Sequence, residues 1–293
     1  MNESEVRIRP QGFRRGYVPQ DPEQELAGLV FALDAQARQP AVIRLREWTT
    51  RRLAPIPGEF ALDVGSGTGS EVLALARLIG PSGRAVGVEP HPGLRGEAVG
   101  RAGAAEAEVE FIDGEAANLP FEDSTVDVIR CERVFQHLAD PDAAAAEFAR
   151  VLKPGGRVAI LDSDWETAVA TPGDPELHRK RNEAMWSSTP NPFAGRYLRA
   201  QLVGAGLEVD PDIGSAALIP NDDLIMTMSE VSLAEAVESG HLSEAEADLL
   251  RKDLVPAIER QEAFFSVTMF AVIGRKAAPL VESTVVVDEG ATA

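Results

Sequence analysis

The chain has 293 residues and carries 47 Asp and Glu against 28 Lys and Arg, a formal charge of −19. Such a charge repels phosphate backbones and anionic membrane surfaces, so neither nucleic acid nor a membrane is an expected partner. The single cysteine, Cys131, excludes a disulfide framework, a multi-cysteine zinc site and a two-cysteine redox couple, and fits a reducing cytoplasm.

Residues 1–20 hold Arg7, Arg9, Arg14 and Arg15 among Gly12, Gly16 and Pro19, and read as an irregular arm with no secretory signal. Asp21 is placed to cap a helix that has Pro22 at its first position. Leu26, Leu29, Val30 and Leu33 follow at helical spacing, which predicts a helix over 22–37. A second helix runs from Pro40 to about Leu53, and residues 1–58 form an N-terminal lid unit. From 59 to 162 short apolar runs alternate with helical stretches. Strands are predicted at 60–64, 85–89, 109–113, 126–130 and 158–161. Helices are predicted at 70–79, 91–102 and 141–152, and Lys153-Pro154-Gly155-Gly156 reads as a turn. Continuous apolar strands between helices imply a buried parallel sheet with right-handed crossovers and its ligand crevice at the strand C-termini.

Residues 163–276 read as cap insertions plus the last strands of the sheet. They hold helices near 175–186 and 193–205, a strand from Leu207 towards Ile219, acidic helices at 221–239 and 243–264, and a closing strand at 268–273. The fold class is therefore α/β: a doubly wound, Rossmann-like, seven-stranded, mostly parallel sheet with N-terminal helices and helical cap insertions. Residues 207–265 contain 14 acids and 3 bases and read as a solvated face, and the acidic helices at 221–264 cap the site, form a homodimer interface, or both. Residues 277–293 read as a loose tail. No apolar run approaches the roughly 18 residues of a membrane span.

The strongest signal is Asp63-Val64-Gly65-Ser66-Gly67-Thr68-Gly69, a glycine loop between a strand and a helix. Glycines let the backbone approach a ligand closely, and the following helix start offers free N–H groups. Its Gly-x-Gly-x-Gly spacing differs from the Gly-x-Gly-x-x-Gly of dinucleotide sites, which disfavours a nicotinamide-dependent reductase. Glu89, twenty residues past Gly69 at the end of the second strand, is placed to accept two ribose hydroxyls.

On these residues the chain resembles the class I S-adenosylmethionine (SAM)-dependent methyltransferases, in particular the ubiquinone-biosynthesis-like small-molecule group. Further blocks carry the likeness: Val88-Glu89-Pro90, residues 113–121, residues 127–138 and Arg150-Val151-Leu152-Lys153-Pro154-Gly155-Gly156, all in order within 59–162. The ending Thr268–Lys276 is similar to that group's last strand. The resemblance implies that Asp63, Gly65, Ser66, Gly67, Thr68 and Gly69 hold the methionine part and ribose of SAM. It implies that Glu89 takes the ribose hydroxyls, that Pro90 and His91 lie beside the adenine, and that Gly114, Glu115 and Ala116 stand where the group usually reads Gly-Asp-Ala. Cys131 and Glu132 would face the amino end of the cofactor, with Cys131 as a small lining residue. Tyr17 in the arm is a candidate to close over the cofactor.

Methyl transfer needs positioning, electrostatics and, for a protonated nucleophile, a base. His137 is the candidate base, against the alternative of a turn residue ordering the helix start at Asp140-Pro141. Asp162 and Asp164 follow the fifth strand and are candidates to orient His137 or meet substrate. Trp165, Trp186, Phe193 and Tyr197 are candidate walls of an apolar substrate pocket, and Arg196 a candidate for a polar substrate end. His91, His137, His178 and His241 have no paired metal-ligand spacing, so no metal site is expected. The expected activity is transfer of a methyl group to an O or N nucleophile of a small molecule in secondary or quinone-type metabolism, with S-adenosylhomocysteine (SAH) as product. The alternatives are a SAM- or SAH-binding protein of the same fold with non-methylating chemistry, and a non-catalytic binding module.

Overall fold

The computed structural model describes residues 21–278; the arm with Tyr17, and residues 279–293, lie outside them. Asp21 caps α1 (Pro22–Ala37) by accepting from the Gln24 amide at 3.1 Å, and α2 (Pro40–Leu53) follows. The core then alternates as expected: β1 (Phe60–Val64), α3 (Ser70–Ile79), β2 (Arg84–Val88), α4 (Pro92–Ala104), β3 (Glu110–Ile112), β4 (Val126–Glu132), α5 (Pro141–Val151) and β5 (Leu152–Thr171). The chain continues as α6 (Pro175–Ser188), α7 (Ala194–Gly204), β6 (Glu208–Val209), β7 (Gly214–Leu218), α8 (Asp222–Glu238), α9 (Glu244–Glu259) and β8 (Phe264–Arg275).

The sheet order is β3-β2-β1-β4-β5-β8-β6, with β7 also paired to β8. Strands β1 to β5 are parallel to one another, and β8 runs antiparallel to β5, β6 and β7. The sheet thus has eight strands rather than seven, because the expected strand over 207–219 breaks in two along β8. Pro211 in Asp210-Pro211-Asp212 offers no N–H to the ladder, and Arg52 holds both Asp210 and Asp212 out of register.

Three other boundaries depart from the sequence reading. The expected turn at 153–156 is a bulge inside β5, where pairing to β4 jumps from Val126–Leu152 to Val128–Arg157. Beyond the crevice β5 does not give way to a cap at 163. It runs on against β8 to the pair Thr171–Phe264, with a second irregularity bridged by Thr167, whose hydroxyl donates to the Asp164 carbonyl and accepts from the Thr268 amide. The second acidic helix ends at Glu259, and Gln261 in the left-handed conformation turns the chain into β8.

Apolar faces explain the layers. Leu62, Val64, Ile129, Cys131 and Ile160 meet Phe148 of α5 and Leu198 and Leu202 of α7 on one face of the sheet. Ala61, Val128 and Leu161 meet Val42 and Leu45 of α2 and Val72 and Leu75 of α3 on the other. A separate apolar cluster joins α6, α8 and α9 as a cap beyond the C-terminal edge of the parallel strands. No helix of the described residues is long and apolar enough to cross a membrane.

Candidate functional site

The glycine loop joins β1 to α3, and each glycine has its own reason. Gly65, Gly67 and Gly69 have φ of 72°, 52° and 82°, which side-chain-bearing residues rarely adopt. A Cβ on Gly65 would collide with Val134, one on Gly69 would lie 2.6 Å from the Phe111 ring, and one on Gly67 would point at Leu33 of α1, 3.2 Å away. The amides of Gly65 and Ser66 tie the loop to the Val88 carbonyl at 2.8 and 3.1 Å. Ser66 turns its hydroxyl under the loop, against Gly87 and without a hydrogen-bond partner, so its backbone rather than its side chain shapes the loop. No side chain caps α3, which leaves the amides of its first turn open to a ligand.

Glu89 closes β2, and its side chain is only 6% exposed. Its carboxylate accepts from the Gly67 amide at 2.8 Å and the His91 amide at 2.9 Å. Burial raises its pKa, and these two amides oppose the rise. His91 itself caps α4, its Nδ1 accepting from the Leu94 amide at 3.2 Å, and burial keeps its ring neutral. Pro90 lies between them. Gly114, beside Val88, exposed Glu115 and buried Ala116 form the next turn along the same strand ends. Helix α1 lies over the loop, tied by Asp34 to Arg101 at 2.8 and 3.0 Å and by Gln36 to Arg133.

Beneath the crevice lies a charge cluster that the sequence reading missed. Glu132 binds Arg46 through two contacts of 2.8 and 2.9 Å, Arg133 at 2.9 Å, and Arg130. Glu71 meets Arg46 at 2.8 Å and Arg130 at 3.2 Å, and Asp63 meets Arg130 at 3.4 Å. Burial alone would raise the Glu132 pKa, but Arg130, Arg133 and Arg46 hold it well below the usual carboxylate range. For Asp63 burial wins over Arg130, and its pKa rises to about 7. Both acids were expected at the cofactor; in this structure their carboxylates pair with Arg46, Arg130 and Arg133 and brace β1, β4, α2 and α3 against one another. Arg133 follows β4 in the left-handed conformation, fixed by its amide to the Leu161 carbonyl at 2.7 Å. The readable signal was Arg130, Glu132 and Arg133, close together at the buried C-terminal end of β4. Cys131 between them packs fully buried in the core, and burial pushes its thiol pKa well up, which disfavours the thiolate.

His137 ends a short 3-10 turn, Phe135–His137, at the mouth of the crevice. Three side chains pin that turn. Asp162, fully buried, accepts from the Gln136 amide at 3.1 Å and the Ser163 amide at 2.8 Å. Asn191 donates to the Phe135 carbonyl at 3.1 Å and to the Leu138 carbonyl. Trp165 donates its indole N–H to the Gln136 side chain at 2.7 Å. Burial raises the Asp162 pKa to about 7 against those two amides. Gln136 and Asn191 carried no sequence signal, because an amide side chain announces a role only through the backbone it meets.

The expected aromatic wall does not gather in one place. Trp186 and Phe193 pack edge to face, 5.4 Å between centroids, and the Trp186 indole N–H is buried without a partner. Trp165 packs against the core cluster that includes residues of α2 and α3. Tyr197, 54% exposed, sits in an outer groove between α5 and α7. Helical periodicity turns it away from the neighbours that Leu198 meets. Arg196 stacks over Phe193 at 5.0 Å and pairs with Asp164 and Glu166, so these charges already satisfy one another.

Residues 62–160 match the family described as a methyltransferase domain. A demethylmenaquinone methyltransferase of Lactobacillus johnsonii is 33% identical over 125 residues, 40% of this chain and 49% of the relative. An arsenite methyltransferase of Halobacterium salinarum is 30% identical over 190 residues, 64% of this chain and 47% of the relative. The chain spans about half the length of the curated relatives it matches. A SAM-dependent methyltransferase from Aquifex aeolicus shares the fold, with a TM-score of 0.52 and 17% identity over 88% of this chain and all of that one. The uncapped helix start, the three positive-φ glycines and the buried carboxylate of Glu89 suit a nucleoside bearing vicinal hydroxyls and a charged amino-acid end. Over residues 62–160 the chain is therefore similar to the methyltransferase domain family, and the site at its strand ends suits a nucleoside cofactor.

Proposed function

We propose that the whole chain transfers a methyl group from SAM to an O or N nucleophile of a small molecule. The observation that carries this reading is the buried Glu89 carboxylate at the end of β2, facing the amide of Gly67 across the loop. Bound SAM would supply the methyl group carried on its sulfonium sulfur, leaving the thioether SAH. Glu89 would hold the ribose hydroxyls, the uncapped first turn of α3 the polar amino-acid end, and the turn at 114–116 the adenine side. Helix α1 serves as a lid, latched by Asp34 and Arg101.

His137 is the proposed general base. Asp162, Asn191 and Trp165 act as positioning residues, because they hold the turn that presents it rather than reach the reacting atoms. Trp186 and Phe193 supply an apolar wall, with one indole N–H left to meet a substrate acceptor. A quinone-type or other aromatic hydroxyl fits such a wall. The reading is tested by incubating the enzyme with SAM and candidate phenols and amines. A product heavier by one CH2, with SAH formed in equal amount, supports it. A product of unchanged mass would move the assignment to a non-methylating reaction. His137→Ala should lower kcat by about 10²-fold if the base assignment holds, and leave it nearly unchanged if His137 only shapes the turn.

A further inference from the structure

The cap encloses a cavity unlike anything in the core. It lies where α6, α8 and α9 rest on the far end of the β5–β8 ribbon, walled by Ile225, Leu233, Leu250, Leu254 and Phe265. Its polar lining is Thr171 of β5, His178 and Arg181 of α6 and Ser229 of α8. As the helices stand it holds about 20 Å³, the room of a single water.

Arg181 is 6% exposed. It makes no ion pair or hydrogen bond with any described residue, whereas Arg130 and Arg157, comparably enclosed, each hold a carboxylate. Burial with no compensating charge pulls its pKa down to about 10. A guanidinium still keeps its proton at neutral pH, so an uncompensated charge stays in an apolar cavity, an arrangement folding alone disfavours. Acids are not scarce: residues 207–265 contain 14. No described carboxylate among them bonds to Arg181.

His178 lies one helical turn before Arg181, on the same side of α6. Its Nε2 lies 2.8 Å from the Pro172 carbonyl, which can only accept, so Nε2 carries the proton. Its Nδ1 is then an acceptor, buried and without a partner. Burial and the Arg181 charge both lower the His178 pKa, which keeps the ring neutral. The cavity therefore presents a cationic fork, a neutral acceptor and hydroxyl groups inside an apolar wall.

We propose that this cap cavity binds the carboxylate of an otherwise apolar small molecule, with Arg181 taking the carboxylate through its guanidinium fork. The apolar body displaces cap side chains rather than filling existing space, so α8 and α9 move apart on binding. A guanidinium recognises a planar carboxylate bidentately, which favours this group over other anions. Taking this acid to be the substrate rests on the methyl-transfer reading; the binding site itself does not.

The test uses the full chain and calorimetry with octanoate, octanamide and SAH. Octanoate should bind one to one and at least about tenfold more tightly than octanamide, the neutral molecule of the same shape. A surface of net charge −19 repels octanoate, so adventitious binding would not give that preference. Arg181→Met should lower octanoate affinity at least about tenfold, leave SAH affinity unchanged and raise the Tm of the free protein. Equal binding of octanoate and octanamide by the wild type would overturn the proposal, and so would equal octanoate affinity in Arg181→Met. Should that variant fail to fold, the wild-type comparison decides alone. Octanoate binding without SAH binding would sink the methyl-transfer reading and leave the cap site standing.

Discussion

Buried arginine occurs in two regions of this molecule with opposite surroundings. Under the crevice Arg46, Arg130 and Arg133 share Asp63, Glu71 and Glu132 within a few ångström. In the cap Arg181 faces apolar side chains and a neutral histidine. The first arrangement is complete within the chain, and its charges neutralise one another. The second has no carboxylate partner among the described residues. Burial of a charge is thus a structural feature where its partner is built in, and a recognition feature where it is not.

The largest expected effect comes from making the first region resemble the second. Glu132→Ala leaves three buried guanidiniums with one shared carboxylate fewer, and should cost about 3–5 kcal/mol of stability, read as a large fall in Tm. A loss under about 1 kcal/mol would mean that water already screens the cluster. Next is the loop above it. Gly67→Val introduces a Cβ at a positive φ, facing Leu33. It should weaken SAH binding by about 100-fold, while the fold and the charge cluster remain; retained affinity would contradict the loop's role.

Asp162 sharpens the contrast from the acidic side, because its hydrogen-bond partners are amides rather than a guanidinium. Its pKa rises from the ordinary value to about 7, so the folded state favours the protonated acid. That contribution to stability is fully present below about pH 4 and is lost as pH rises through about 7. Asp162→Asn cannot ionise. The Tm difference between variant and wild type should therefore shift in the variant's favour from about pH 5 to about pH 8, by an amount on the order of 1–3 kcal/mol. A difference independent of pH would mean that Asp162 stays ionised throughout.

The core was legible because its signals are local. The Gly65–Gly69 loop, the Asp21 and Asp140 caps and the β1–β4 apolar runs each declare themselves within a few residues, and their boundaries held to within two or three positions. The cap was less legible. Continuation of β5 to Thr171 depends on β8, about a hundred residues on, and the split at Pro211 depends on Arg52 from α2. Site chemistry divided in the same way. Glu89 could be placed by its distance from the loop. Glu132 gave no hint of Arg46 from α2, Tyr197 none of its outward face, and Arg181 none of its lack of a carboxylate partner among the described residues, because each property is set by other segments.

The measurement that bears most directly on the central claim is SAH calorimetry on the wild type and Glu89→Ala. Loss of hydrogen bonds from the ribose hydroxyls to a charged group should weaken binding by about 1.5–3 kcal/mol, while the wild type binds one molecule per chain. No binding by the wild type, or the same dissociation constant in both proteins, would contradict the account.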